Sequence, residues 1–146
     1  MTMLVIDASI AVKWVVEEQG TPDALALRSR AQLAAPDLLT AECANILWKK
    51  VRRRELSKEE AVLAAGLVAR SDIELHPMRA LLEPACRLAI ELDHPAYDCV
   101  YLALAAAGGW RLVTADERLL RKLRRRKPAR AVPGAMSLSE AAAAGS

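Results

Sequence analysis

The chain opens with a short apolar run, Met3 to Ile6, that stops abruptly at Asp7. The run is too short for a helix and does not alternate, so it predicts a strand buried on both faces. Ala8 to Glu18 follows as a predicted helix. Thr21-Pro22 marks the start of a second, with Thr21 as N-cap and Pro22 at the first helical position. Pro36-Asp37 opens a third, in which Ala44, Leu47, Trp48 and Val51 recur at helical spacing as a core stripe. Ser57-Lys58-Glu59-Glu60 is a capping box for a fourth. Ile73 to His76 predicts a strand stopped by Pro77, and Leu81 to Leu92 a further helix. After Pro95, Ala96 to Ala107 is apolar nearly all round, which predicts a central helix ended by Gly108-Gly109. Arg111 to Val113 is the next strand. Thr114-Ala115-Asp116-Glu117 reads as a second capping box leading into a basic helix, and Ala129 to Val132 as a last strand.

Strands alternate with helices, and the strand runs are continuous. That pattern gives the expected fold class: α/β, a central parallel sheet flanked by helices on both faces. Length agrees, since 146 residues suit one domain. The expected division is a domain over residues 1–135 and a C-terminal tail over 136–146. The Ala-rich end, Ala141 to Ser146, is expected to fray.

Composition changes this picture in three places. Phe is absent, so the core must be built from Ala, Leu and Val. The longest apolar stretch, Cys99 to Ala107, is too short to span a bilayer. Three cysteines, an odd number scattered through helical patterns, suggest buried free thiols in a reducing compartment. A cytoplasmic protein with no membrane partner is expected. The net charge of +3 is too small to call for nucleic acid by itself.

Several chemistries are absent from the sequence. The six glycines form no phosphate loop, and no serine sits in a nucleophile elbow. His76 and His94 each precede a proline and are read as turn residues. What remains is acids in unusual places. Asp7 sits at the carboxyl end of the first strand, where ligands of open parallel sheets bind. Asp98 is the only charge between Pro95 and Arg111, on an otherwise apolar helix; an unpaired carboxylate there costs several kcal/mol, so it needs a partner or a cation. Glu42 lies on the third helix with Asn45 and Lys49 on its face. Asp116 follows a strand, as Asp7 does. Each also fits a plainer role: Asp7 as a helix cap, Asp98 and Asp116 as first-turn acids, Glu42 as a solvated side chain.

Taken together, these residues resemble the PIN-domain family. Asp7-Ala8-Ser9 resembles the block around its first acid, and Glu42 with Asn45, Leu47 and Trp48 the second. Tyr97-Asp98-Cys99 with Tyr101-Leu102-Ala103-Leu104-Ala105 resembles the third, and Leu112-Val113-Thr114-Ala115-Asp116-Glu117 the fourth. The blocks occur in family order from Met3 to about Leu120. Compact length and Glu55-Leu56-Ser57 are most similar to VapC-type toxins. The resemblance implies Mg²⁺- or Mn²⁺-dependent RNA hydrolysis, with Asp7, Glu42, Asp98 and Asp116 holding the metal. It also implies a cognate antitoxin protein and a homodimer. Ser9, Thr114 and Asn45 are the supporting candidates: Ser9 and Thr114 flank acids, and Asn45 can orient Glu42. Arg53-Arg54 departs from the glycine common at that turn.

The basic run Arg121-Lys122-Leu123-Arg124-Arg125-Arg126-Lys127 then fits as a phosphate-binding flank beside an acidic centre, with Arg121, Lys122, Arg124, Arg125 and Arg126 as candidate RNA contacts. Two other readings remain: a catalytically silent PIN-like module that binds RNA or protein, and an RNA-processing nuclease that is not a toxin. A phosphoreceiver domain needs paired acids after the first strand, and only Asp7 stands there.

Overall fold

The computed structural model describes residues 2–125 and 134–144. Five strands form one all-parallel sheet in the order β3-β2-β1-β4-β5: β1 (Met3–Ile6), β2 (Gln32–Pro36), β3 (Glu74–His76), β4 (Arg111–Thr114) and β5 (Ala135–Ser137). Among the described residues eight helices flank it: α1 (Ala8–Lys13), α2 (Thr21–Arg30), α3 (Leu38–Arg52), α4 (Lys58–Ala69), α5 (Leu82–Leu92), α6 (Ala96–Gly108), α7 (Glu117–Arg125) and α8 (Leu138–Ala144). A 3-10 turn over Arg79–Leu81 leads into α5. The chain places β2 and β3 on one side of β1 and β4 and β5 on the other, so the order reverses between β1 and β4. Crevices at the carboxyl ends of strands beside such a reversal are where parallel sheets bind ligands.

The core runs through the sheet centre and α6. Val5, Ile6, Ile10, Leu102, Leu112 and Val113 are all essentially inaccessible, and without any Phe the largest fully buried side chain is Tyr101. No helix among the described residues is long and apolar enough to cross a membrane.

Several expectations need correction. The α1 helix ends at Lys13 rather than Glu18. Thr21 does not cap α2: Gly20 does, at φ 91°, while the Thr21 hydroxyl accepts from Glu18 N and donates to the Val16 carbonyl. Strand β2 had no counterpart in the sequence pattern. The buried face of α3 is Leu39, Cys43, Leu47 and Lys50, which leaves Ala44 and Trp48 exposed. Lys50 is buried because its stem packs inward while its ammonium pairs with Glu18 at 2.7 Å. The strand expected over 129–132 lies outside the described residues, and the last described strand is β5.

The C-terminus is not a frayed tail as far as it is described. A boundary between residues 135 and 136 would cut β5, which pairs with β4. Leu138, Ala141 and Ala142 of α8 are buried, and α8 packs on α2. Leu138→Ala is therefore expected to cost about 2–4 kcal/mol, as core Leu truncations do. Urea unfolding checks this, and a loose tail would show no change.

Candidate metal centre in an acid-lined cleft

Parallel register carries two acids to one place. Ile6 of β1 lies opposite Val113 of β4, so the next residues, Asp7 and Thr114, emerge side by side. The Thr114 hydroxyl donates to Asp7 Oδ2 and accepts from Asp116 N at 3.0 Å. Asp7 Oδ1 accepts from the Ser9 hydroxyl at 2.5 Å, from Ser9 N at 3.1 Å and from Ile10 N at 3.4 Å. Asp7 is thus both the N-cap of α1 and a wall of the cleft, and Ser9 and Thr114 fix its two oxygens. Burial pushes its carboxyl above the ordinary range, although bonds from Ser9, Thr114 and Ile10 pull the other way.

Glu42 reaches the same region from α3. The Tyr101 hydroxyl, from α6, donates to Glu42 Oε1 at 2.5 Å. Burial raises the Glu42 carboxyl, the Tyr101 bond opposes that, and the negative charge of Asp7 adds to it. The Tyr101 phenol is itself held well above its ordinary range, first by burial and then by Glu42. Tyr101→Phe should therefore raise the Glu42 carboxyl further, because the hydrogen bond that favours its charged form is lost. Carbon-13 NMR titration of the Glu42 carboxyl in metal-free protein reads this directly; an unchanged midpoint would mean the hydroxyl does not hold Glu42.

Asp98 and Asp116 form the second half. Asp98 stands in the first turn of α6 and Asp116 just before α7, where its Oδ1 accepts from Arg118 N at 2.9 Å and Leu119 N at 3.1 Å. So Asp116, not Thr114, caps α7, and the capping box expected at 114–117 is displaced. Asp98 Oδ2 lies 2.6 Å from His94 Nε2, and one ligand atom from each of His94, Asp98 and Asp116 falls within 4.8 Å of the others. Burial raises the Asp98 carboxyl to about 6; the His94 bond opposes the rise, and a hydrogen bond to Asp116 and its charge reinforce it. For Asp116 burial is outweighed by bonds from Asp98, Leu119 N and Arg118 N, with His94 helping, and its carboxyl is held below the ordinary range.

All four acids, with Ser9 and Asn45, line one open cleft of about 660 Å³. No described ion pair ties a Lys or Arg to any of them; the described nitrogen partner is the His94 ring. Carboxylates gathered in one cleft without a Lys or Arg partner suit a hard divalent cation, which takes oxygen ligands. The donor set therefore fits Mg²⁺ or Mn²⁺. His94 and Tyr101 were missed in the sequence. His94 precedes a proline and lies outside α6, so no helical spacing marked it.

The basic flank divides. Arg121, Arg124 and Arg125 are exposed, but Arg124 pairs with Glu140 at 3.0 Å, and Lys122 donates to the Asp93 carbonyl at 2.5 Å. Arg126 lies outside the described residues.

Residues 4–125 match the model of the PIN domain. The chain is 35% identical over 122 residues to Ribonuclease VapC3 of Pyrobaculum aerophilum, covering 82% of this chain and 93% of that one. It is 32% identical over 117 residues to Ribonuclease VapC9 of Mycobacterium tuberculosis, covering 80% and 88%. Its fold matches the crystal structure of PAE2754 from Pyrobaculum aerophilum with a TM-score of 0.72 at 24% identity, over 98% of this chain and 96% of that one.

Proposed function

The chain belongs to the PIN-domain family, as a homologue of VapC ribonucleases, and from that premise we propose that it is a divalent-metal-dependent endoribonuclease acting as the toxin of a type II toxin–antitoxin pair. The observation that carries this is the meeting of Asp7, Glu42, Asp98 and Asp116 in one cleft at the point where the strand order reverses. These four carboxylates would hold the cation. When bound, Mg²⁺ or Mn²⁺ supplies an activated water and neutralises charge on the phosphodiester.

The remaining work falls to the chain's own groups. Ser9 and Thr114 lock the orientation of Asp7, and Tyr101 locks Glu42, so the acids face the cleft without further reorganisation. Asn45 lines the same wall one helical turn from Glu42 and can orient it or the substrate. Exposed Arg121 and Arg125 offer charge to the RNA backbone outside the acidic centre. A cleft that admits a phosphate beside cations also admits a basic side chain from an antitoxin, which is the proposed mode of inhibition. A homodimer is proposed with it. A silent binding module has no need of four acids gathered without a Lys or Arg partner.

Expression of the protein alone should arrest growth, and co-expression with a neighbouring small gene should relieve it. Sequencing of RNA ends after brief expression should show new 5′-phosphate ends at discrete sites. Abundant folded protein that leaves both growth and RNA unchanged in a host lacking the antitoxin would reject the toxin reading.

A further inference from the structure

The loop between α5 and α6 carries a buried histidine that the four-acid reading does not use. The His94 side chain is 4% exposed, with Nε2 2.6 Å from Asp98 Oδ2 and 4.0 Å from Asp116 Oδ2. The backbone fixes its place: Asp93 ends α5 at φ 51°, and His94 N donates to the Ala89 carbonyl at 3.1 Å. Lys122 of α7 donates to the Asp93 carbonyl, tying this loop to the helix that Asp116 begins.

We propose that His94 is a positioning residue of the metal centre, whose Nε2–H holds one oxygen of Asp98 and so leaves the other free for the cation. The inference rests on the metal-dependent reading above. Two observations separate it from direct ligation by the ring. First, Nδ1 is buried and has no hydrogen-bond partner among the described residues. A proton there would be stranded, whereas a bare lone pair is tolerated better, so the proton belongs on Nε2. A protonated ring nitrogen cannot bind a metal. Second, at 2.6 Å the ring nitrogen and the Asp98 oxygen touch each other. That is hydrogen-bond distance for a ring N–H to a carboxylate, so the Nε2 proton is already engaged by Asp98 and the lone pair a metal would need is not offered there. Outer groups that orient metal-binding side chains commonly govern affinity by about 10–100-fold.

The first test needs no substitution. Long-range proton–nitrogen NMR of histidine-labelled wild type at pH 8 should show His94 in the Nε2–H form both without metal and with Mg²⁺. A switch to the Nδ1–H form on adding Mg²⁺ would make the ring itself a ligand and overturn the proposal. The second follows free Mn²⁺ by electron paramagnetic resonance during titration. His94→Ala should weaken binding by about 10–100-fold, while His94→Gln, whose amide N–H can reach the same oxygen, should recover to within a few-fold of wild type. Unchanged affinity in folded His94→Ala, or an equal loss in both variants, would overturn a positioning role. Failure of wild type to bind Mn²⁺ would reject the metal centre itself, and it would be seen before any variant is made.

Discussion

Asp98→Asn is expected to abolish RNA cleavage and at the same time to raise the melting temperature of the metal-free protein. The loss of activity follows from removing one of the four proposed cation ligands. Transition-state charge stabilisation by a bound metal is worth several kcal/mol, so a fall of at least about 10³-fold is expected. The gain in stability follows from the same charge. Burial pushes the folded-state carboxyl from its ordinary 3.8 up to about 6. An acid whose folded pKa lies above its unfolded value destabilises the fold above the folded pKa, and the penalty fades as pH falls from 6 toward 3.8. At pH 7.5 in chelator the penalty is fully present. Asn removes it at nearly constant shape, since its oxygen can still accept from His94 and its amide can donate to Asp116. A gain of roughly 1–3 kcal/mol, or about 3–8 °C, is expected at pH 7.5. It should shrink toward pH 5. A purely structural first-turn acid would give the opposite sign.

Metal binding should stabilise the wild type by a comparable amount. A ligand that binds only the folded state stabilises by RT ln(1 + [L]/Kd), about 2.7 kcal/mol at a hundredfold excess over Kd. Saturating Mg²⁺ or Mn²⁺ should therefore raise the melting temperature by roughly 5–10 °C. The increment should nearly vanish in Asp98→Asn and in Asp116→Asn. Asp7 is a less clean probe. Its Oδ1 also caps α1, so Asp7→Ala would lose about 1–2 kcal/mol of capping whatever happens to the metal. Equal metal increments in wild type and Asp98→Asn would mean that any bound cation sits elsewhere.

The parts of this site that were legible in the sequence were those with a local signature. Asp7 and Asp116 each follow an apolar run, and the pairing of Ile6 with Val113 turns two strand-end acids into neighbours. Asp98 stood out as a lone charge on an apolar helix. Glu42 had no such mark, because its surroundings are set by Tyr101, which lies 59 residues away. His94 was hidden by Pro95, which made a turn the simpler reading. Fold errors have equally local causes. Strand β2, Gln-Leu-Ala-Ala-Pro, is poor in the β-branched and aromatic residues that mark strands. On α3 the apolar residues Ala44 and Trp48 suggested a stripe, but the face that packs inward is set by Leu39, Cys43 and Leu47. The Ala run of α8 carries no period, so its packing on α2 could not be read.

Cleavage of RNA by purified wild type, with and without Mg²⁺ or Mn²⁺ and in excess chelator, tests the central claim most directly. The proposed metal site predicts cutting with metal and none in chelator, restored when metal is added back. Cutting at the same rate in excess chelator would contradict a metal centre built from Asp7, Glu42, Asp98 and Asp116.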